Sequence, residues 1–362
     1  MKLSKWRSDL KNKFNKAYNL FKNKKLNKLI ITITTNTSST KSPYFPKLRF
    51  FNKNLIFGVV VYSQDQAKDI CKLVDKKAEY IFVDSEKKIP FNIKNTLNTN
   101  KKNLSIYDID LGHLISICSK NIRFSKLIEF KPNDLTVDSA WLMLSNYFNI
   151  LSGKNIAIIG AGNIGFKLGL KLVETGASVN LYRRNSDSGV NFANSINSIK
   201  PQSTIASANF ISNPVKACLF CDAIIASANS SNTINIDMVK VMKPGGIIID
   251  IGKGCIDKKS IKFALDHKIT ILRCDINNNI INFISEYLNY PSVSSVVGIK
   301  KILKNINIVS GGYIGSYGDI VVDDYNNPKE IIGICNGAGD FKITHSLEDK
   351  KRIDKLRKII DD

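Results

Sequence analysis

Asn155-Ile-Ala-Ile-Ile-Gly-Ala-Gly-Asn-Ile-Gly165 decides how this chain folds. Asn155–Ile159 is a short apolar run, the pattern of a strand buried on both faces. The turn Gly160-Ala161-Gly162-Asn163-Ile164-Gly165 follows at once, and helical spacing continues to Val173. Gly176-Ala177 ends that helix, and Val179–Tyr182 is the next strand. A GxGxxG turn between a strand and a helix, inside a βαβ unit of about 30 residues, is the arrangement that holds a dinucleotide. Gly160 permits the tight turn, Gly162 lets the backbone approach a pyrophosphate, and Gly165 lets helix and strand pack closely. Free N–H groups and the positive end of the helix dipole then face the phosphates.

The end of the second strand selects the nucleotide. An NAD site places an acid there, about 20 residues on, for the ribose 2′-hydroxyl. Here the stretch is Leu181-Tyr182-Arg183-Arg184-Asn185-Ser186, and no acid occurs before Asp187. Arg183 and Arg184 are suited to grip a 2′-phosphate through charge-assisted, forked hydrogen bonds, with Asn185 and Ser186 as further donors. NADP is therefore the expected cofactor.

Downstream, Cys221–Ser227 is a strand whose loop brings Ser227, Ala228 and Asn229 toward the cofactor. Ile247–Ile251 is another strand, followed by Gly252-Lys253-Gly254, and Ile269–Leu272 is a further one. Strand carboxyl ends line the crevice of open α/β sheets, so Gly252 joins the expected cofactor contacts. Upstream, Leu29–Thr34, Phe57–Tyr62 and Tyr80–Val83 are strands and Gln64–Lys76 is helical. The expected architecture is α/β, a Rossmann-type doubly wound parallel sheet with a second α/β domain and a small C-terminal β element. Its divisions are a basic amphipathic segment at 1–28, a substrate domain at 29–135, the NADP domain at 136–285, and a C-terminal hairpin and tail at 286–362. In the last, Tyr313-Ile314 and Ile320–Val322 read as a hairpin around Gly315–Gly318. Lys131-Pro132-Asn133-Asp134 reads as a break, with a helix from Asp138 to Leu151.

The stretch from Asp134 to Asp250 resembles the shikimate/quinate dehydrogenase family, carried by Leu151–Gly165 and by the basic Tyr182–Ser186. Glutamyl-tRNA reductases share this cofactor-domain type, and methylene-tetrahydrofolate dehydrogenases do so more loosely. The resemblance implies an Asp near the start of the preceding helix that works with a Lys in hydride transfer; Asp138 of Thr136-Val137-Asp138 falls near that place. It also implies a carboxylate-holding Ser-Pro loop, matched by Thr40-Lys41-Ser42-Pro43, and a later Pro-containing run, matched by Ile89–Lys94.

Nicotinamide supplies hydride chemistry, and the protein must position a substrate and move a proton. Lys131, Asp134 and Asp138 stand just before the cofactor domain and are the expected proton-transfer groups, with Lys94 behind them. His113, after Asp108 and Asp110, is another possible base. The expected activity is NADP-dependent hydride transfer to or from a small polar metabolite, a hydroxy acid or cyclic carbonyl compound. A folate-type or aldehyde-forming dehydrogenase and a non-catalytic NADP-binding protein are the alternatives.

The 362 residues are 43% hydrophobic and 23% charged, an ordinary globular balance. Seven scattered cysteines do not form a disulfide scaffold, and Cys218 and Cys221 lack the second pair a zinc site needs, so no metal is expected. The net charge of +22 rests on 45 Lys against 8 Arg, beside 39 Asn, a bias of the kind that AT-rich coding produces. Arginine is the better fork for phosphates, so nucleic acid is not the expected partner. Within residues 1–28, Leu3, Trp6, Leu10, Phe14, Tyr18 and Phe21 recur every three or four positions. That face fits packing on its own domain in preference to a membrane surface. A cytoplasmic location and a homodimer complete the expectations.

Overall fold

The computed structural model describes residues 3–35, 42–86, 89, 113–289, 301–310, 315–324 and 326–361. Thr40, Lys41, Lys94, Asp108, Asp110, Tyr313 and Ile314 lie outside the described residues. The chain divides into two units, Met1–Ile281 and Asn282–Asp362.

The first unit opens with helix α1, Leu3–Asn23, then strands β1 (Lys28–Thr34), β2 (Arg49–Phe51) and β3 (Asn54–Val60). Helix α2 (Gln64–Val74), strand β4 (Tyr80–Asp84), helix α3 (Leu114–Ser119) and strand β5 (Lys126–Phe130) follow. Their sheet has the order β2-β3-β1-β4-β5, parallel throughout except for the antiparallel edge strand β2. The apolar stripe of α1 explains its place. Trp6, Leu10, Phe14 and Ala17 are buried in the core beneath β1 and β3, leaving the lysines outside. Trp6 stacks on Phe45 at 5.6 Å, and Phe14 meets Phe57 edge-on at 5.6 Å. Aromatic pairs in these geometries add to what area burial already contributes.

Helix α4, Pro132–Phe148, leads into the second sheet. The Lys131–Asp134 break is in fact its start: Pro132 occupies the first turn, where its missing N–H costs nothing. Next come β6 (Asn155–Ile159), α5 (Asn163–Glu174), β7 (Ser178–Tyr182), α6 (Ser186–Ile199), β8 (Ala208–Phe210) and α7 (Pro214–Ala217). The unit continues with β9 (Ala223–Ala226), α8 (Ile236–Lys240), β10 (Ile247–Asp250), α9 (Lys258–Asp266), β11 (Thr270–Arg273) and the start of α10 (Asn277–Asn289), which crosses the division between the units. All pairings in this sheet are parallel, in the order β11-β10-β9-β6-β7-β8. Counted from β6 as the first strand, that is the 3-2-1-4-5-6 order of a dinucleotide-binding sheet. Separate apolar clusters cover its two faces, which is why its strands read as continuous apolar runs.

The second unit holds β12 (Lys301–Leu303), β13 (Ile306–Ser310), β14 (Ile320–Val322), β15 (Ile331–Ile334) and helix α11, Leu347–Asp361. Tyr313 and Ile314, the first arm of the hairpin expected around Gly315–Gly318, lie outside the described residues; β13 and β14 pair in parallel. The antiparallel partner of β14 is β15, across the Asn326-Asn-Pro328 turn.

Leu356 of α11 packs on Ile308, Ile320 and Ile334. At the other end of α11, buried Asp349 accepts from Lys342 Nζ at 3.0 Å, Arg352 Nη2 at 2.6 Å and Ser346 N at 3.1 Å. Burial alone would raise its pKa, but these partners outweigh burial and hold it well below the usual carboxylate range. A depressed pKa contributes stability above the unfolded value, and that stability is lost as pH falls through the folded one. Asp349→Ala in the full chain is expected to lower the melting temperature of this unit by about 5 °C or more. Hydrogen exchange at Ile306–Ile334 would locate the loss, and unchanged protection there would show that the triad contributes nothing.

Candidate functional site

The glycine turn sits between β6 and α5, at the point where the strand order reverses. Gly160 has φ +96° and donates its N–H to Tyr182 O at 3.0 Å. A Cβ on Gly160 would lie 2.5 Å from the Ala228 backbone nitrogen, so glycine is required there by the protein itself. Gly165 is constrained similarly: its Cβ would meet Ile158 Cγ2 and Ser227 Oγ, each at 3.0 Å. Gly162 is different. Its φ is −99°, and a Cβ would meet nothing nearer than Gly160 O at 3.9 Å. Neither backbone strain nor crowding accounts for glycine at 162, and its open side leaves room for a ligand to approach the backbone.

Gly162 is also the N-cap of α5 and offers no side-chain cap. Phe166 N donates to Gly162 O at 2.8 Å, so the N–H groups of Asn163, Ile164 and Gly165 precede the first intrahelical bond. Those donors and the open side of Gly162 fit a pyrophosphate.

The expected supporting residues have distinct placements. Ser227 Oγ donates to Gly160 O at 2.9 Å, so its hydroxyl braces the turn from below. Ala228 forms the floor against Gly160, and Asn229 is exposed beyond it. Gly252 N donates to Ala226 O at 3.1 Å, and a Cβ there would overlap Ala228 O. Buried Asp250 shapes the next loop by accepting from Lys253 N at 2.9 Å and Gly254 N at 2.7 Å.

The two arginines after β7 part company. Arg183 Nη1 donates to Ala161 O at 2.9 Å, and its guanidinium lies 4.9 Å from the Phe192 ring. It is a brace for the glycine turn. Arg184 is exposed and makes no hydrogen bond or ion pair among the described residues. Asn185 Oδ1 accepts from Ser188 N at 2.8 Å as the N-cap of α6, which leaves its amide nitrogen as the donor. Ser186 is exposed at the start of that helix.

A charged cluster stands beside the turn. Glu86, just past β4, accepts from Asn133 N at 2.6 Å and from Lys167 Nζ at 3.3 Å. Lys131 Nζ pairs with Asp134 at 2.7 Å, and Lys167 Nζ also pairs with Asp134. Asn133 Nδ2 donates to Asn163 Oδ1 at 3.3 Å, which ties the start of α4 to the glycine turn. Burial would raise the Asp134 pKa, but the two ammonium groups outweigh it and hold the carboxyl below its ordinary value. Burial would likewise lower Lys167, but Asp134 and Glu86 reverse the sign and raise it. Both stay charged at neutral pH.

Asp138 does not join this cluster. It pairs with Lys171, one helical turn further along α5, and Lys171 lies 4.7 Å from the Trp141 ring. Helix periodicity places Asp138 one turn of α4 beyond Asp134 on the same face. Lys94 lies outside the described residues. His113 stands at the N-cap of α3 with its Nδ1 buried and without a hydrogen-bond partner among the described residues. Lys167 and Glu86 were not legible as site residues, because they meet across 81 positions of sequence.

Cys218 and Cys221 are both fully buried, and no metal-holding group of His, Cys, Asp or Glu occurs among the described residues. No helix among the described residues is long and apolar enough to cross a membrane.

Residues 130–279 match the family model described as D-isomer specific 2-hydroxyacid dehydrogenase, NAD binding domain. With the 3-2-1-4-5-6 sheet, this match supports an oxidoreductase that uses a nicotinamide cofactor. The matched family is not the shikimate dehydrogenases, so that resemblance holds only at the level of an NAD(P)-binding dehydrogenase domain. Among curated proteins none matches the chain. Among solved structures, glutamyl-tRNA reductase from Methanopyrus kandleri is similar over 42% of this chain and 39% of its own, at 17% identity and TM-score 0.33. Dipicolinate synthase A chain from Bacillus subtilis is similar over 72% of this chain and 95% of its own, at 14% identity and TM-score 0.34. L-tryptophan dehydrogenase from Nostoc punctiforme covers 74% of this chain and 77% of its own, at 12% identity and TM-score 0.41. TM-scores of this size add nothing to the assignment.

Proposed function

We propose that the protein is an NADP-dependent dehydrogenase or reductase acting on a small polar hydroxy or carbonyl metabolite, with a hydroxy acid as the leading class. The observation that carries the NADP reading is the end of β7. No acid stands there before Asp187, and Arg184 is exposed with no partner among the described residues. An unengaged guanidinium beside the start of α6 is placed to receive a 2′-phosphate, with the Asn185 amide and Ser186 as neighbouring donors.

In this reading the N–H groups of Asn163, Ile164 and Gly165 bind the pyrophosphate across Gly162. Ser227 and Ala228 hold the turn in shape, and Arg183 fixes it through Ala161. When bound, the nicotinamide supplies a hydride to a carbonyl carbon in exchange for oxidation of its own ring. The chain's own task is to hold the carbonyl compound and deliver a proton to its oxygen. Lys131, on the end of β5, is the group proposed for that proton, and Asp134 is its counter-charge. Lys167 anchors Asp134 and Glu86 to the helix that follows the glycine turn.

Titration with NADPH and NADH, followed by nicotinamide fluorescence, tests the cofactor. Arg184→Ala is expected to weaken NADPH binding by about 10- to 100-fold, the worth of a hydrogen-bonded charge, and to leave NADH nearly unchanged. Arg183→Ala is expected to weaken both nucleotides, because it braces the turn they share. Equal affinity of the wild type for both nucleotides would overturn the NADP reading.

A further inference from the structure

The sequence gives no reason to single out Arg49, yet its surroundings are unlike those of the surface lysines. It lies on the edge strand β2, opposite Ile56 of β3. Its side chain leaves the first sheet and reaches the segment that follows the second: Nε donates to Asn277 Oδ1 at 2.7 Å. Asn277 opens α10, four residues past the carboxyl end of β11. Its own N–H goes to Asp275 Oδ1 at 2.9 Å, so the segment that receives Arg49 is itself held in a turn.

Arg49 is half-buried and makes no ion pair among the described residues. Burial pushes its guanidinium below the usual arginine value, and electrostatic interactions with Asp275 and Tyr44 offset only part of that. Taking a cation partly out of water without a paired anion is costly. A structural link to Asn277 would need one donor and no charge. With Nε engaged, the two Nη groups remain as a planar fork, the geometry that matches a carboxylate.

Position supplies the rest. In a sheet of this topology the half built on the first three strands takes the adenosine side, and the half built on strands four to six takes the nicotinamide side. The glycine turn belongs to β6, the first strand, whereas β11 is the sixth. Arg49 therefore meets the second sheet on the side where hydride transfer would occur. Among the 8 arginines of a chain with 45 lysines, this one is contributed by the first sheet to that side.

We infer that Arg49 is a substrate-binding residue, its Nη fork holding the carboxylate of a small oxo or hydroxy acid while Asn277 fixes its Nε. This rests on the reading of the site as a nicotinamide-dependent dehydrogenase.

The test uses the full chain loaded with NADPH. Glyoxylate, pyruvate and 2-oxoglutarate are assayed for NADPH oxidation, with pyruvamide as the uncharged counterpart. The wild type turns over at least one of the acids and not the amide. Arg49→Ala raises KM for that acid by about 10- to 100-fold, as loss of a charge-assisted fork predicts, with a smaller change in kcat. Arg49→Lys, which keeps the charge without the fork, recovers part of the loss. NADPH affinity and melting temperature of Arg49→Lys stay near the wild type. Unchanged KM in both variants, or equal turnover of pyruvamide, would make Arg49 a strut between the sheets and overturn the inference. Wild-type protein that binds NADPH but reduces none of the acids overturns it as well, while leaving the cofactor reading intact. Failure to bind NADPH at all overturns the cofactor reading, and this inference with it.

Discussion

Gly162→Ala is expected to yield a folded protein that no longer binds NADPH. The two halves of that expectation have separate causes. Folding is spared because φ at this position is −99°, which an L-residue adopts, and because the added methyl meets no protein atom closer than 3.9 Å. Binding is lost because the methyl occupies the side of the turn from which a pyrophosphate would reach the α5 N–H groups. Nucleotide affinity is expected to fall by about 100-fold or more, equivalent to ~2.7 kcal/mol. Gly160→Ala is the contrasting variant. It places a Cβ 2.5 Å from the Ala228 nitrogen at a φ of +96°, so it strains the backbone and displaces the loop after β9. Its loss is one of stability, about 1–3 kcal/mol from the backbone alone. A thermal melt beside a fluorescence titration separates the two variants. Undiminished NADPH binding by Gly162→Ala would remove the pyrophosphate from the turn.

The roles of these glycines were legible in the sequence, but the atoms that enforce them were not. Spacing assigns all three to one motif, because the motif has a fixed period and a fixed place between strand and helix. What crowds Gly160 and Gly165 is Ala228 and Ser227, 60-odd residues later, and no local pattern carries that. The same limit explains the other departures. β2 is three residues, Arg49-Phe-Phe51, too short for alternation to show, so the edge strand that carries Arg49 was not foreseen. Lys-Pro-Asn-Asp reads equally as a loop or as the first turn of a helix, and the capping carboxylate that settles it, Glu86, comes from a different strand's end. The parallel β13–β14 pair was not foreseen, because glycines mark a turn without saying which way the next strand runs. By contrast, the buried strands β6, β9 and β10 show plainly, since both faces of that sheet are covered and each strand is a run of apolar residues, broken only by Asn155 at the start of β6 and Asp250 at the end of β10.

Lys131→Met is expected to keep nucleotide binding and lose turnover. Of the four groups singled out for proton transfer, Asp138 is drawn off by Lys171 and Lys94 lies outside the described residues. Asp134 is held between two ammonium groups with its pKa depressed, so at neutral pH it is a fixed anion and a poor proton carrier. Its contribution to the cluster is present above the ordinary carboxylate pKa and fades only as pH falls through the lowered one. The two lysines around it differ in freedom. Lys167 faces two carboxylates with its side chain 30% exposed, and they raise its pKa; releasing a proton would leave both carboxylates uncompensated. Lys131 has a single ion pair and a side chain 57% exposed. It can therefore turn toward a substrate oxygen without breaking the link between Asp134 and α5. Removing a positioned proton donor lowers kcat by about 10²–10⁴-fold. Lys131→Met is thus expected to show that loss with NADPH affinity near the wild type. Lys167→Met is expected instead to lower the melting temperature, with the smaller change in kcat, because it frees Glu86 and Asp134 from the helix they anchor. The reverse pattern, with kcat collapsing in Lys167→Met and surviving in Lys131→Met, would move the proton to Lys167 and make Lys131 a surface cation.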